Sequence, residues 1–121
     1  MKRQARGSSN EHRTIRFLSK RNFIAVRTGG SKGMGDLDVL AYHIITGEIK
    51  HVQSKSNHGY TKQDLELLRL LRKTIMAPNV SIELWDWYDV ARYPIVTIIR
   101  LEGDTTITED PDLKKIMENK T

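Results

Sequence analysis

Two β-prone runs, residues 37–45 and 48–54, stand on either side of Thr46-Gly47, and no other feature restricts the fold as strongly. Two such runs joined by a two-residue turn form a hairpin, which fixes which residues face each other. With Thr46-Gly47 as the whole turn, Ile45 faces Glu48 and every facing pair of residue numbers sums to 93. Asp38 then stands opposite Lys55, and Leu40 opposite Gln53. Side chains alternate along each strand, so Asp38, Gln53 and Lys55 share one face, with Asp38 and Gln53 diagonal neighbours roughly 7 Å apart.

The rest of the chain supplies what such a hairpin needs to bury. Ser8 followed three residues later by Glu11 is a capping-box pattern ahead of Ile15 and Leu18 at helical spacing, which predicts a first helix over residues 9–20. Residues 23–28 form a short β-prone run, and the glycine-rich stretch 29–35 after it reads as a loop. Thr61 caps a second helix from residue 62 to about 76, with Leu65, Leu68, Leu71 and Ile75 inward, Leu67 and Leu70 widening the stripe, and Pro78-Asn79 as the stop. Residues 80–88 and 95–101 read as two strands, the first placing Trp85 and Trp87 on one face. Asp110-Pro111 opens a C-terminal helix with Leu113, Ile116 and Met117 inward. The order α-β-β-β-α-β-β-α predicts an α/β fold, a mixed central sheet flanked by helices. At 121 residues the chain is expected to form one domain, residues 1–121.

Charge is unevenly placed. Residues 1–32 hold nine Lys or Arg against one acid, Glu11, whereas the remainder holds eleven bases against fourteen acids. That asymmetry concentrates positive potential on one part of the surface, as a polyanion-binding face requires. With no cysteine in the chain, disulfides, thiolate metal sites and a cysteine nucleophile are excluded. The basic start, residues 1–6, is not followed by an apolar run of signal length, and no stretch approaches the roughly 20 apolar residues of a membrane span, so a soluble cytoplasmic protein is expected.

A carboxylate, an amide oxygen and an ammonium on one face suit phosphodiester hydrolysis. A hard divalent cation takes oxygen ligands and lowers the pKa of a bound water, while a nearby positive charge offsets charge developing on the phosphate. A cross-hairpin salt bridge between Lys55 and Asp38 is the plain structural alternative. Glu11, in helical phase with Ile15 and Leu18, belongs to the face that packs on the sheet, where an acid needs a cation; its alternative role is the capping box with Ser8.

Arg6-Gly7-x-x-x-Glu11, then the run from Phe23 to Arg27, then Ser31-Lys32 resembles the N-terminal block of the archaeal Holliday junction resolvases, nucleases of the PD-(D/E)xK type. Asp38-Val39-Leu40-Ala41 is similar to that family's second strand, and Val52-Gln53-Ser54-Lys55 falls where its E-x-K strand should be. The resemblance covers residues 6–55. It departs from the family in a hairpin about two residues longer and in Gln53 at the usual glutamate, a Q-x-K variant typical of Mrr-like restriction nucleases. The resemblance implies a restriction-endonuclease-like fold in which Asp38 binds Mg²⁺ or Mn²⁺, Gln53 contributes its side-chain oxygen, and Glu11 joins the metal shell. It further implies that Lys55 orients the attacking water or steadies the phosphate, and that Ser31 approaches the scissile phosphate. Asp36 shares the face of Asp38 and is an alternative ligand.

Candidate DNA contacts are Lys2, Arg3, Arg6, Arg13, Arg27, Lys32 and Lys62. The expected activity is that of a metal-dependent DNA endonuclease resolving four-way junctions. One chain carries one site and resolution needs two symmetric nicks, so a homodimer is expected. Two rivals are an Mrr-like or repair nuclease cutting duplex DNA, and a DNA-binding module whose site lapsed with Gln53. Nucleotide binding is unsupported, since the stretch 29–35 lacks a Gly-Lys-Ser/Thr at the required spacing. His12, His43, His51 and His58 show no ligand spacing and read as satisfied surface histidines. The Trp85 and Trp87 pair reads as packing beneath a helix or at a subunit contact, with base stacking as the alternative.

Overall fold

The computed structural model describes residues 2–28, 38–89 and 91–119, with residues 2–8 as backbone only. Ser31, Lys32 and Asp36 lie outside the described residues. The elements are α1 (Lys2–Ser19), β1 (Phe23–Arg27), β2 (Val39–His43), β3 (Ile49–Ser56), α2 (Lys62–Thr74), β4 (Val80–Trp87), β5 (Ile95–Ile99), β6 (Thr105–Thr108) and α3 (Pro111–Asn119). The six strands form one mixed sheet in the order β1-β2-β3-β4-β5-β6. Every neighbouring pair is antiparallel except β3 and β4, which run parallel. A parallel pair needs a crossover, and α2 supplies it.

The helices take opposite faces. On one, Leu18 of α1 packs with Phe23, Val39, Ala41, Val52, Trp85 and Trp87. On the other, Leu68 of α2 packs with Ile82, Leu84 and Ile99, joined by Leu65, Leu71 and Ile75. The expected mixed sheet with flanking helices is what the chain adopts. Trp85 and Trp87 are both buried under α1, and Trp87 Nε1 donates to Thr14 Oγ1 at 2.8 Å, so neither indole is presented for stacking on a base.

Several local expectations are corrected. α1 begins at Lys2 rather than near Ser9, so Ser8 and Glu11 lie inside the helix and form no capping box at its start. Lys, Gln, Ala and Arg, all good helix formers, carry the helix across the Gly7-Ser8-Ser9 stretch. Leu67 and Leu70 do not widen the buried stripe of α2 and stand exposed, Leu70 at 61%. On α3 only Leu113 and Met117 are partly covered, whereas Ile116 is exposed. The sixth strand, Thr-Thr-Ile-Thr, was not anticipated: it is short, polar and at the sheet edge, where pairing with β5 rather than burial holds it.

The hairpin turn is also different. Val39 faces Val52 and Tyr42 faces Ile49, so facing numbers sum to 91, and residues 44–47 form the turn, closed by His43 N–H donating to Glu48 O at 2.8 Å. A two-residue turn would demand positive φ at Thr46, which a β-branched residue resists. In the four-residue turn only Gly47 takes positive φ, at 76°. His43 Nδ1 accepts the Ile45 and Thr46 N–H groups, each at 3.2 Å, so this histidine caps the turn.

Glu83 is the most demanding residue of the core. It is 1% exposed, on the α1 face of β4, and accepts from Lys50 Nζ at 2.6 Å, Ser81 Oγ at 2.6 Å and Trp85 Nε1 at 2.8 Å. Burial would lower the Lys50 pKa, but Glu83, with help from Glu48, outweighs it and holds Lys50 above its ordinary value.

Candidate functional site

Asp38 immediately precedes β2 and already belongs to the ladder, its N–H donating to Val52 O at 2.9 Å and its carbonyl accepting from Thr28 at 3.0 Å. The observed register ends with Val39 facing Val52, so Asp38 lies one position beyond the paired residues, bonded to Val52, and does not face Lys55 as the shorter turn implied. Gln53 and Lys55 share the side of the sheet opposite α1, and Asp38 meets the same strand through its backbone and its carboxylate. Asp38 Oδ2 accepts the Ser54 N–H at 2.7 Å, which holds the carboxylate at the open end of the hairpin. Gln53 is 2% exposed, and its Oε1 is buried with no hydrogen-bond partner among the described residues. An amide oxygen stripped of water and left unpaired is costly.

Lys55 follows on the same face. Its Nζ lies 3.7 Å from Asp64 Oδ2 on the first turn of α2, rather than in a cross-hairpin bridge of the kind an Asp38–Lys55 facing pair would make. The same Asp64 oxygen accepts the Thr61 N–H at 2.7 Å, and the Asp64 N–H donates to Thr61 Oγ1 at 3.1 Å, the expected cap of this helix with its reciprocal partner. The helix cap therefore sets where the lysine ammonium rests.

Glu11 is placed differently. Its Oε1 accepts from Arg27 Nε at 2.7 Å, and Arg27 faces Val39, whose side chain belongs to the α1 side of the sheet. Glu11 and Arg27 thus form a pair at the same end as Asp38 but on the opposite face from Gln53 and Lys55. Among the described residues no three His, Cys, Asp or Glu side chains gather as a metal-binding group. The neighbouring α1 residues Asn10 and Thr14 are buried and hydrogen-bond Ser56 and Ser54 of β3, which seats the helix on the strand that carries Gln53 and Lys55.

Of the candidate DNA contacts, Lys62 is exposed on the first turn of α2. Arg13 stacks over Trp87 at 4.3 Å and donates to Ala91 O at 2.8 Å. Lys2, Arg3 and Arg6 belong to the first turns of α1.

Sequence reasoning passed over Asp86. It lies beside Lys55 in the parallel β3–β4 register, on the same face and buried. It accepts the His58 N–H at 2.9 Å, with His58 Nδ1 3.7 Å away. Asn57 and His58 both take positive φ, 50° and 62°, so the carboxylate secures two consecutive left-handed residues just after the site strand. The signal was an acid between two tryptophans in an apolar strand. Among the histidines, His51 is not satisfied: its Nδ1 is buried without a partner among the described residues, and burial lowers its pKa.

Burial pushes the Asp86 carboxyl above the usual carboxylate range, opposed by the His58 N–H and the His58 charge. An acid whose folded pKa is raised contributes most when protonated, and that contribution is lost as pH rises through the folded value. Asp86→Asn, which retains an acceptor for His58, is therefore expected to raise the thermal midpoint at about pH 7–8 and to lose that advantage below about pH 4. Melting curves at the two pH values check it; a variant destabilised equally at both would show that the charge itself is required.

No protein-family model matches the chain, and no curated protein matches it. A solved structure does: the 1.6 Å structure of Archaeoglobus fulgidus Hjc, a Holliday junction resolvase from an archaeal hyperthermophile. The TM-score is 0.57 over 91% of this chain and 93% of that chain, at 13% identity. At that identity the likeness is one of fold. The mixed α/β architecture is common to both along nearly their whole lengths.

Proposed function

We infer that this chain is a metal-dependent DNA endonuclease that resolves four-way junctions. The observation that carries the reading is the meeting of Asp38 with the Gln53–Lys55 segment at the open end of the β2–β3 hairpin, where Asp38 Oδ2 accepts the N–H of Ser54, the residue between the other two, in a fold common to a Holliday junction resolvase.

The residues suit Mg²⁺ or Mn²⁺. Mg²⁺ keeps several waters and needs only one or two protein carboxylates, and Gln53 Oε1, without a hydrogen-bond partner among the described residues, would gain a partner in a bound cation. A cation there supplies Lewis acidity and a water of lowered pKa. Lys55, tethered through Asp64, presents positive charge toward the phosphate and orients the attacking water. Glu11 aims Arg27 from the far face, so its part is to position a DNA-contacting cation. Arg13, Lys62 and the helix-borne Lys2, Arg3 and Arg6 add backbone contacts, and Lys32 and Ser31 keep the roles that the family resemblance implies. These contacts touch charge and shape rather than base edges.

Two symmetric nicks call for two sites. Ile24, Val26 and Tyr42 stand exposed on the side of β1 and β2 away from α1, where α2, packed over β4 and β5, leaves room. A two-fold partner on that apolar strip would present both sites together.

Incubating a labelled synthetic four-way junction with and without Mg²⁺ tests the reading. Paired nicks only with the metal support it, and binding without nicking in either metal overturns it. Gln53, the Q-x-K position, favours as a second reading a nuclease acting on duplex DNA; equal cleavage of linear duplex and junction would select it.

Gln53→Glu is expected to lower the Mg²⁺ concentration for half-maximal cleavage, because a full negative charge replaces a neutral ligand beside a dication. Equal midpoints in parent and variant would mean that Gln53 does not touch the ion.

A further inference from the structure

The flank of α1 that faces the β4–β5 connection encloses a concavity of about 310 Å³. Five cations line it, Arg13, Arg16, Lys20 and Arg21 from or just after the helix and Arg92 from the connection, against the ring of Trp87. Two of the five are already engaged. Arg21 meets Glu109 at 3.0 Å, and Arg13 lies over Trp87 with its guanidinium donating to Ala91 O. Arg16, Lys20 and Arg92 are exposed and have no acid within ion-pair distance among the described residues. Burial lowers the Arg13 pKa, with Asp89 opposing the shift and the Arg16 charge adding to it, as expected where cations outnumber acids.

Like charges held on one concave wall repel one another unless an anion joins them. Three positions explain why these do converge. Arg13, Arg16 and Lys20 are spaced by three and four, which stacks them along one side of α1. Arg92 is fixed from across the gap, its N–H donating to Asp110 Oδ2 at 3.2 Å. The wall is therefore built by two separate parts of the chain.

We propose that this pocket grips the phosphodiester backbone of a DNA arm that is not the strand being cut. It rests on the nuclease reading for its ligand, and its location sets it apart from the cutting site: the cations flank the helix on one face of the sheet, whereas Gln53 and Lys55 look out from the other. A polyanion that wraps the end of the sheet reaches both, and a junction, with arms diverging from one crossover, offers backbone in both directions. Guanidinium forks suit phosphate oxygens, and several cations on one short wall match the spacing of successive phosphates.

Arg16→Gln/Arg92→Gln removes two unengaged cations without touching the apolar core. Binding of a fluorescent four-way junction, followed by anisotropy in EDTA across a salt series, separates the question from cleavage. Losing two phosphate contacts is expected to flatten the slope of log K against log salt by about 1.8 units and to weaken binding at low salt. Lys73→Gln/Arg100→Gln, exposed cations at the other end of the sheet, removes the same net charge and is expected to leave the slope at the parental value. An unchanged slope in the Arg16/Arg92 variant, or equal losses in both variants, overturns the pocket as a DNA site while leaving the nuclease reading standing. A parent that binds no junction overturns both.

Discussion

Asp38→Asn is expected to cut junction cleavage by about a hundred-fold or more while leaving junction binding nearly intact, because loss of a charged metal ligand removes several kcal/mol of transition-state stabilisation and each 1.36 kcal/mol is a factor of ten. Asn keeps an acceptor for the Ser54 N–H that now reaches Asp38 Oδ2, so the hairpin end should survive. Lys55→Ala is expected to lose cleavage to a similar degree. Its Asp64 partner sits at 3.7 Å, and a pair of that length between partly exposed groups contributes little to stability. Single-turnover cleavage alongside anisotropy binding and circular dichroism checks both. A Lys55→Ala enzyme that turns over normally would reduce Lys55 to a surface ion pair with the α2 cap.

The second large effect concerns stability. Glu83→Ala is expected to destabilise the fold by about 3 kcal/mol, since it leaves the partly buried Lys50 ammonium only the more exposed Glu48 as partner and withdraws the acceptor from Ser81 and Trp85. For a chain of this size that corresponds to a fall of about 10–20 °C in the thermal midpoint. Replacing both charges by apolar residues, Lys50→Met with Glu83→Leu, is expected to recover most of the loss, because an empty pair of apolar side chains carries no unpaired charge. Urea unfolding of the three proteins decides the matter. A single variant within about 1 kcal/mol of the parent would show that water reaches the pair.

The path from residues to architecture was open where periodicity was strong. The helix over Leu65, Leu68 and Leu71, the Thr61 cap and the Trp85–Trp87 face could be read because burial and propensity agree there. The common side of Gln53 and Lys55 was legible for a subtler reason: the turn was misjudged by two residues, and a strand slipped by an even number keeps its sides. Facing partners do not survive such a slip, which is why the reading put Lys55 opposite Asp38 and missed Asp64. β6 was invisible because pairing to a neighbour leaves no apolar pattern in a short Thr-rich edge. Glu83 and Asp86 were passed over as ordinary strand residues, although an acid among Ile, Leu and Trp needs partners, and the basic partner of each, Lys50 or His58, is distant in sequence. The basic pocket joins Arg92 to α1 from across about seventy residues, a convergence that no linear pattern records.

The C-terminal element has a different energetic standing from the rest. α3 contains no buried residue and rests chiefly on β6, itself a four-residue edge strand that is largely exposed. Little apolar surface is returned to water if this unit lets go, so its opening free energy lies far below that of global unfolding. Its amide protons should exchange with solvent while those of β2, β3 and β4 remain protected, because these strands are hydrogen-bonded on both edges and carry the buried core, and open only with the whole molecule. The molecule thus separates into a cooperative block that holds Asp38, Gln53 and Lys55 and an outer flap that can fray on its own clock.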